Sequence, residues 1–283
     1  MQLPITPDDQ RRRAHAFRDL HAGPGAFVVA NAWDQGTARL LSALGFTAVA
    51  TTSAGLAFAL GRTDGANLVT REEALANARA IVTATDLPVS ADLENGFGAS
   101  PDAVAETIRL AAATGLVGGS IEDATGDPAT PIHPFEQAVE RIRAAVAAAR
   151  ELDFPFTVTA RAENFLHGRP DLDDTVRRLR AFEAAGADVL FAPGLPDAEA
   201  VRTVCAAVDK PVNVLAAGPL AKLTVRQLAE LGARRISVGS AFARVALAAA
   251  QRSAAEILNT GGFASFADAM PMSEANSLMS DQL

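Results

Sequence analysis

Cysteine is nearly absent from this chain. Cys205 is the only one, so no internal disulfide can form. It falls in residues 200–208, a helical pattern, where a small buried apolar role is expected rather than a reactive thiol. Lysine is almost as scarce: Lys210 and Lys222 are the only two, and arginine supplies the remaining side-chain cations. A Schiff-base mechanism needs a lysine at the working end of the fold. Lys210 precedes a candidate strand and Lys222 opens a helix, so neither is placed for that task. An excess of positive charge is also missing. The net charge is −8 over 283 residues and the pI is about 5.1. That excludes a nucleic-acid or acidic-membrane partner, both of which need a basic face. No apolar run approaches the ~20 residues of a membrane helix. Residues 1–9 lack a basic region followed by an apolar core, so no signal peptide is expected. The expectation is a soluble, cytoplasmic protein.

What is present is a repeat of short apolar run, polar cluster and amphipathic stretch. Strands are expected at 27–30, 47–51, 88–91, 117–121, 156–160, 188–192, 211–215 and 235–238. Most are apolar on both faces, as strands of a parallel sheet are. The clearest helices are expected at 71–85, 102–113, 135–150, 172–185 and 197–207. Thr70 with Glu73 forms a capping-box pattern, and Ser100-Pro101 sets a cap before a first-turn proline. Gly45, Gly115, Gly186 and Gly232 follow helices as C′ glycines do. Alternation with short links leaves an open doubly wound sheet or a closed barrel. Eight units, with polar clusters after several strands, favour an α/β fold of the (β/α)8 barrel type. One domain, 1–283, is expected. A helix at about 7–21 would plug the barrel bottom, and a helical extension at about 240–283 would pack on a neighbouring subunit.

Carboxylates accumulate where the strands should stop. In Asp92-Leu93-Glu94 the two acids point to the same side of an extended segment, and Gly96 and Gly98 let the backbone turn close to a ligand. Glu122 ends the next strand. Acids at neighbouring strand ends repel unless a cation sits among them, and hard divalent cations take oxygen ligands and keep waters. Thr159-Ala160-Arg161 adds an arginine, which must pair with Glu122 or Glu163 or bind a substrate carboxylate. Small residues at Ser53-Ala54-Gly55 offer backbone N–H groups to a carboxylate, or simply make a tight turn. Asp64 is placed to return to the metal. Asn213 is a candidate for a substrate hydrogen bond, and Trp33 and Asp34 for a wall of the pocket.

These segments resemble the isocitrate lyase/phosphoenolpyruvate mutase superfamily, over about residues 31–240. The resemblance implies a (β/α)8 barrel with its last helix swapped between subunits of a homodimer or homotetramer, and Mg²⁺ or Mn²⁺ as cofactor. It implies a small carboxylate substrate, a 2-oxo or 2-hydroxy acid or a phosphonate relative. By position, Asp92 is the implied direct metal ligand, with Glu94, Glu122 and Asp64 acting through water. Ser53, Ala54 and Gly55 are the implied carboxylate seat, and Arg161 the partner of substrate. The family's lyases carry Lys-Lys/Arg-Cys-Gly-His in the loop after strand four. Residues 122–134 here contain neither cysteine nor lysine, which argues against isocitrate or 2-methylisocitrate lyase activity. From 123 to 134 there is also no arginine to neutralise a phosphoryl dianion. The expected activity is metal-assisted carbon–carbon cleavage of a di- or tricarboxylate through an enolate, as in oxaloacetate decarboxylation or substituted-malate cleavage. Arg161, Asp64 and His133 are the candidate catalytic residues, His133 as acid. The alternatives are P–C bond chemistry and a non-catalytic 2-oxo-acid binding protein.

Overall fold

Eight parallel strands pair in chain order and close on themselves, so the closed barrel, not the open sheet, is the fold. The structure is a computed structural model that describes residues 5–280; the ends of the expected 1–283 domain lie outside the described residues. The strands are β1 (Phe27–Asn31), β2 (Val49–Ala50), β3 (Val89–Asp92), β4 (Gly118–Glu122), β5 (Thr157–Arg161), β6 (Val189–Phe191), β7 (Val212–Leu215) and β8 (Arg235–Ser237). All eight expected strands are found, offset by a residue or two at their ends. Asn31 helps close the ring. Its Oδ1 accepts from the N–H groups of Val238 (3.0 Å) and Gly239 (2.9 Å), and its Nδ2 donates to the Thr51 carbonyl at 2.8 Å.

Helices pack outside the strands: α1 (Pro7–Ala22), α2 (Gln35–Ala43), α3 (Ser53–Ala59), α4 (Arg71–Thr83), α5 (Pro101–Ala112), α6 (Phe135–Arg150), α7 (Leu172–Ala184), α8 (Ala198–Ala206), α9 (Val225–Glu230), α10 (Ala241–Thr260) and α11 (Met272–Met279). The sequence signals act as expected. Thr70 and Glu73 form the reciprocal capping box of α4, and the Ser100 side chain caps α5 before Pro101. Gly115 shows why the C′ glycines recur. Its φ is +96°, and a Cβ there would sit 2.6 Å from Ile5 Cγ2.

Helix α1 packs against the N-terminal end of the barrel. Its Ala14 and Phe17 form a small buried cluster with Val29, Ala48 and Val117. The Phe17 ring meets His21 edge-on at 4.8 Å. With the bottom plugged, ligands have only the C-terminal end to enter, where barrel enzymes place their chemistry. The far end of the chain behaves differently. Along the 20 residues of α10 only Ala243 is buried, while Phe242, Val245, Leu247 and Leu258 are exposed. Helix α11 returns to α2, where Arg39 Nη1 donates to the Met279 carbonyl at 2.8 Å. Among the described residues no helix is long and apolar enough to cross a membrane.

Candidate active site

Strand register assembles the site. Asp92 pairs across to Ser120, and Glu122 lies directly beside Arg161. The last residues of β3, β4 and β5 therefore meet at one end of the barrel. There Arg161 spends its whole guanidinium on acids: Nη1 to Asp92 Oδ1 (2.8 Å), Nη2 to Glu122 Oε2 (3.0 Å) and Nε to Glu163 Oε1 (2.8 Å). Its fork also lies 5.3 Å from the Phe191 ring centre. Both expected arginine partners are engaged at once, and Asp92 is a third. The side chain of Glu163 is 2% exposed, against 19% for Asp92 and 16% for Glu122. Glu163 is thus an anchor behind Arg161, whereas Asp92 and Glu122 stay partly exposed and Asp92 lines the barrel cavity.

Asp92 is held from three sides. Ser53 donates to Oδ2 through both Oγ (2.9 Å) and its backbone N–H (3.3 Å), and the Glu94 N–H donates to Oδ1 at 3.2 Å. Thr51 Oγ1 accepts the Asp92 N–H at 2.9 Å. After Asp92 the chain turns sharply. Glu94 adopts a φ of +48° and Phe97 one of +56°, a left-handed conformation that non-glycine residues hold only where the surroundings dictate it. The Glu94 carbonyl accepts the Glu122 N–H at 3.0 Å, which fixes the two acid-bearing ends together.

Negative charge exceeds positive charge here. Burial, then the charges of Asp92 and Asp64, push the Glu94 carboxyl up to about 7, and Arg161 opposes this only in part. Burial and the neighbouring acids likewise raise Glu122 far above the ordinary carboxylate range despite Arg161. Glu163 is raised to about 6, chiefly by burial. Asp64, although exposed, is raised by partial desolvation and by Asp92, while Arg161, the Gly65 N–H and the Ser53 hydroxyl oppose the shift. Burial works against the Arg161 charge, but Glu163, Glu122 and Asp92 outweigh it and hold the guanidinium protonated. Carboxylates forced toward neutrality by one another are groups that a further cation would relieve.

Asp92, Glu94 and Glu122 do not form a cluster of three direct ligands; among the described residues no such group of His, Cys, Asp or Glu is found. Arg161 stands where such a cluster would close. The donor chemistry fits a hard cation held by one carboxylate and otherwise through water, the arrangement Mg²⁺ favours.

The other candidates separate. Ser53 begins α3 rather than lying in an open turn, and the Gly55 N–H is bonded to Thr52 Oγ1 at 3.2 Å. That leaves less free backbone around Ser53-Ala54-Gly55 than an exposed turn would offer. Gly55 is required by crowding, since a Cβ there would lie 2.6 Å from Thr52 Cγ2 and 2.8 Å from the Trp33 Cβ. Trp33 is half-buried against α3, and Asp34 caps α2. Asn213 lines the barrel cavity together with Asp92 and Arg161. His133 does not. It is 6% exposed and lines a separate cavity of about 460 Å³ with Asn67, Asn95 and Phe97. Burial and Arg141 lower its pKa, opposed by Gln137, so its ring is neutral at pH 7. Lys210 and Lys222 are both exposed and absent from the barrel cavity.

Besides Arg13 of α1, three buried arginines nearer the site carry no clear sequence signal. Arg178 pairs with Asp123 at 2.9 Å and donates to the His133 carbonyl at 3.1 Å. Arg141 holds the carbonyls of Asn95, Gly98 (2.6 Å) and Ala99 (2.7 Å), and so fixes the turn that carries Glu94. Arg235 sits inside the barrel. The only signal for Arg178 was the helical spacing from Asp174. Arg141 and Arg235 had none, because an arginine in a helix or at a strand start usually reads as surface.

The family model for phosphoenolpyruvate phosphomutase matches residues 17–258. The chain belongs to this family. With it, the chain belongs to the isocitrate lyase/phosphoenolpyruvate mutase superfamily and is an enzyme of its lyase and mutase type. A crystal structure of a Burkholderia cenocepacia J2315 protein, named provisionally as a lyase/mutase, is 54% identical. It superposes with a TM-score of 0.94, over 97% of this chain and 98% of that one. An oxaloacetate decarboxylase of Ectopseudomonas mendocina is 30% identical over 232 residues, 80% of this chain and 78% of the relative. A phosphonopyruvate hydrolase solved with oxalate and Mg²⁺ is 25% identical, with a TM-score of 0.82 over 94% of each chain. Family members of this kind thus include enzymes named for C–C and for P–C chemistry.

Proposed function

We propose that the protein is a Mg²⁺- or Mn²⁺-dependent carbon–carbon lyase acting on a small 2-oxo or 2-hydroxy di- or tricarboxylate through an enolate, with oxaloacetate-like decarboxylation as its closest description. The observation that carries this reading is Arg161 bonded to Asp92, Glu122 and Glu163 at the mouth of a plugged barrel, with Glu94 held up to about 7 beside them.

Asp92 would hold the metal directly, and Glu94, Glu122 and Asp64 through water; when bound, the metal would supply Lewis-acid polarisation of the substrate carboxylate and 2-oxygen. Ser53 keeps Asp92 in one orientation for that role. Arg161 and Asn213 orient the substrate from the cavity wall, with Ser53, Ala54 and Gly55 as the carboxylate seat and Trp33 packed behind it. The apolar side chains of Leu166, Phe191 and Leu215 line the cavity and limit water around the reacting bond. In the reaction the C3–C4 bond breaks, its electron pair passes into the enolate, CO₂ departs, and C3 takes a proton. Solvent is assigned that proton, because His133 lines another cavity.

P–C bond chemistry is the second reading. The description of the matching family favours it, and the lack of lysine and arginine from 123 to 134 weighs against it. The assay that tests the proposal offers oxaloacetate, substituted malates and phosphonopyruvate with Mg²⁺ and again with EDTA. Metal-dependent loss of CO₂ from oxaloacetate is expected. Preferential turnover of phosphonopyruvate would favour the second reading, and tight binding with no turnover would make the chain a 2-oxo-acid binding protein. The same proposal includes assembly as a homodimer or homotetramer through α10, whose exposed apolar residues suit a swapped helix.

A further inference from the structure

Arg235 is 5% exposed and sits low in the barrel at the first position of β8. The other buried arginines are matched by acids or backbone carbonyls. Arg178 has Asp123 and Asp174. Arg141 has three carbonyls. Arg13 has the carbonyls of Val82 and Thr85, and Asp86. The hydrogen bonds of Arg235 go instead to neutral side chains: Nε to Asn213 Oδ1 at 2.9 Å and Nη2 to Thr159 Oγ1 at 3.0 Å. Among the described residues no carboxylate pairs with it. Burial lowers its pKa to about 9, which leaves it charged at neutral pH. A buried cation without a counter-ion is costly to maintain.

The guanidinium lines the same cavity, of about 100 Å³, as Asp92 and Arg161. Next to it, Asn213 Nδ2 donates to Ser237 Oγ at 2.9 Å, and this leaves the Ser237 hydroxyl proton to donate elsewhere. Ser237 also lines the cavity. Arg235, Asn213 and Ser237 thus offer donors from below, whereas the upper rim is acidic. One cavity has a cation-seeking mouth and an anion-seeking floor.

We propose that this floor is an anion subsite in which Arg235 and Ser237 take one acidic group of a dianionic ligand whose other end lies at the acid-lined mouth. The inference rests on the functional reading above and extends it, because it makes the site selective for dianionic over monoanionic acids. Arg235 supplies the positive charge that residues 123–134 lack. Inorganic anions share the chemistry, and the experiment separates them from a substrate carboxylate.

The test compares malate with lactate, which lacks the second carboxylate. Binding to the full chain is measured by calorimetry with Mg²⁺, for the wild type and for Arg235→Met. Malate is expected to bind the wild type more tightly, and the substitution to weaken malate by about tenfold or more while lactate changes little. Equal loss for both acids would make Arg235 a support of the barrel and overturn the subsite; no change for either would do the same. A second arm omits Mg²⁺ and follows thermal stability with malonate and with sulfate. Stabilisation of the wild type that is absent in Arg235→Met supports the floor even if no hydroxy acid binds, so failure of the lyase reading stays distinguishable. Stabilisation by sulfate alone would mark the floor as an inorganic anion site and overturn the substrate assignment. Should Arg235→Met not fold, Arg235→Lys keeps the charge but loses the fork, and the same malate-selective weakening is expected.

Discussion

Arg161 of β5 reaches across β4 to Asp92 at the end of β3, with Nη1 and Oδ1 2.8 Å apart. The contact ties three consecutive strand ends into one unit, since Glu122 of β4 lies on the same guanidinium. It also places the site's resident cation against the carboxylate best placed to hold a metal. On the proposed reading, substrate and metal would share Asp92 and Arg161 rather than find a preformed cage.

Removing that guanidinium leaves three buried or half-buried acids uncompensated. Arg161→Met is expected to lower unfolding free energy by about 3–5 kcal/mol and to abolish turnover. Arg161→Lys is expected to recover part of the stability but little activity, because an ammonium lacks the planar fork that meets several acids at once. Urea unfolding and steady-state kinetics on both variants check this.

Glu94 carries a sign that can be worked out. Its folded pKa, about 7, is above the ordinary value of 4.5, so the native state holds the proton more firmly. Its contribution to stability is complete below pH 4.5 and is lost as pH rises through 7. Glu94→Gln is expected to flatten that decline, gaining on the order of 1–3 kcal/mol over wild type at pH 8. Mg²⁺ should stabilise the wild type more at pH 8 than at pH 5.5, because the metal needs the charged acids. Stability curves at several pH values, with and without Mg²⁺, provide the measurement.

At the opposite end of the barrel, burial and then Arg235 depress the His21 pKa from 6.5 to about 3. The unfolded chain binds this proton first, so the stability from neutral His21 is present above pH 6.5 and is lost as pH falls toward 3. His21→Leu is expected to remove a pH-dependent loss of about 3–5 kcal/mol, with no change in ligand binding at pH 8. Acid titrations of unfolding in the two proteins test it.

The loop after β4 is fastened to its neighbours. Asn67 Nδ2 donates to the Thr125 carbonyl at 3.3 Å, as does Asn95 Nδ2 at 3.4 Å. Gly126 has a φ of +77°, and a Cβ there would collide with the Asn67 amide. Gly126→Ala is expected to release residues 123–134 and cost about 1–3 kcal/mol. Faster protease cleavage within that loop, without loss of the barrel's circular dichroism, is the predicted result.

Much of the fold was legible because its signals are local. The doubly buried strands, the Thr70 and Ser100 caps and the glycines after helices each act within a few residues. The acids of β3 and β4 were legible because strand ends of a barrel meet. The division of labour among them was not. That Glu163 anchors Arg161 from behind, and that His133 turns into another cavity, depends on packing between segments tens of residues apart. Arg235 was hidden for a further reason: a charged residue at the start of a strand ordinarily faces solvent, and only ring closure carries it inside. The short helix α3 was missed because Ser53-Ala54-Gly55 has turn-like composition and the whole helix is only seven residues long.

The acids at the barrel mouth are proposed to serve a divalent cation and a 2-oxo acid together. Calorimetric titration with oxalate, which resembles the planar pyruvate enolate, tests it most directly when run with Mg²⁺, with EDTA, and in Asp92→Asn. Mg²⁺-dependent binding is expected, abolished by EDTA and weakened by at least about tenfold in Asp92→Asn. Oxalate binding of equal strength in all three conditions, or in none, would contradict it.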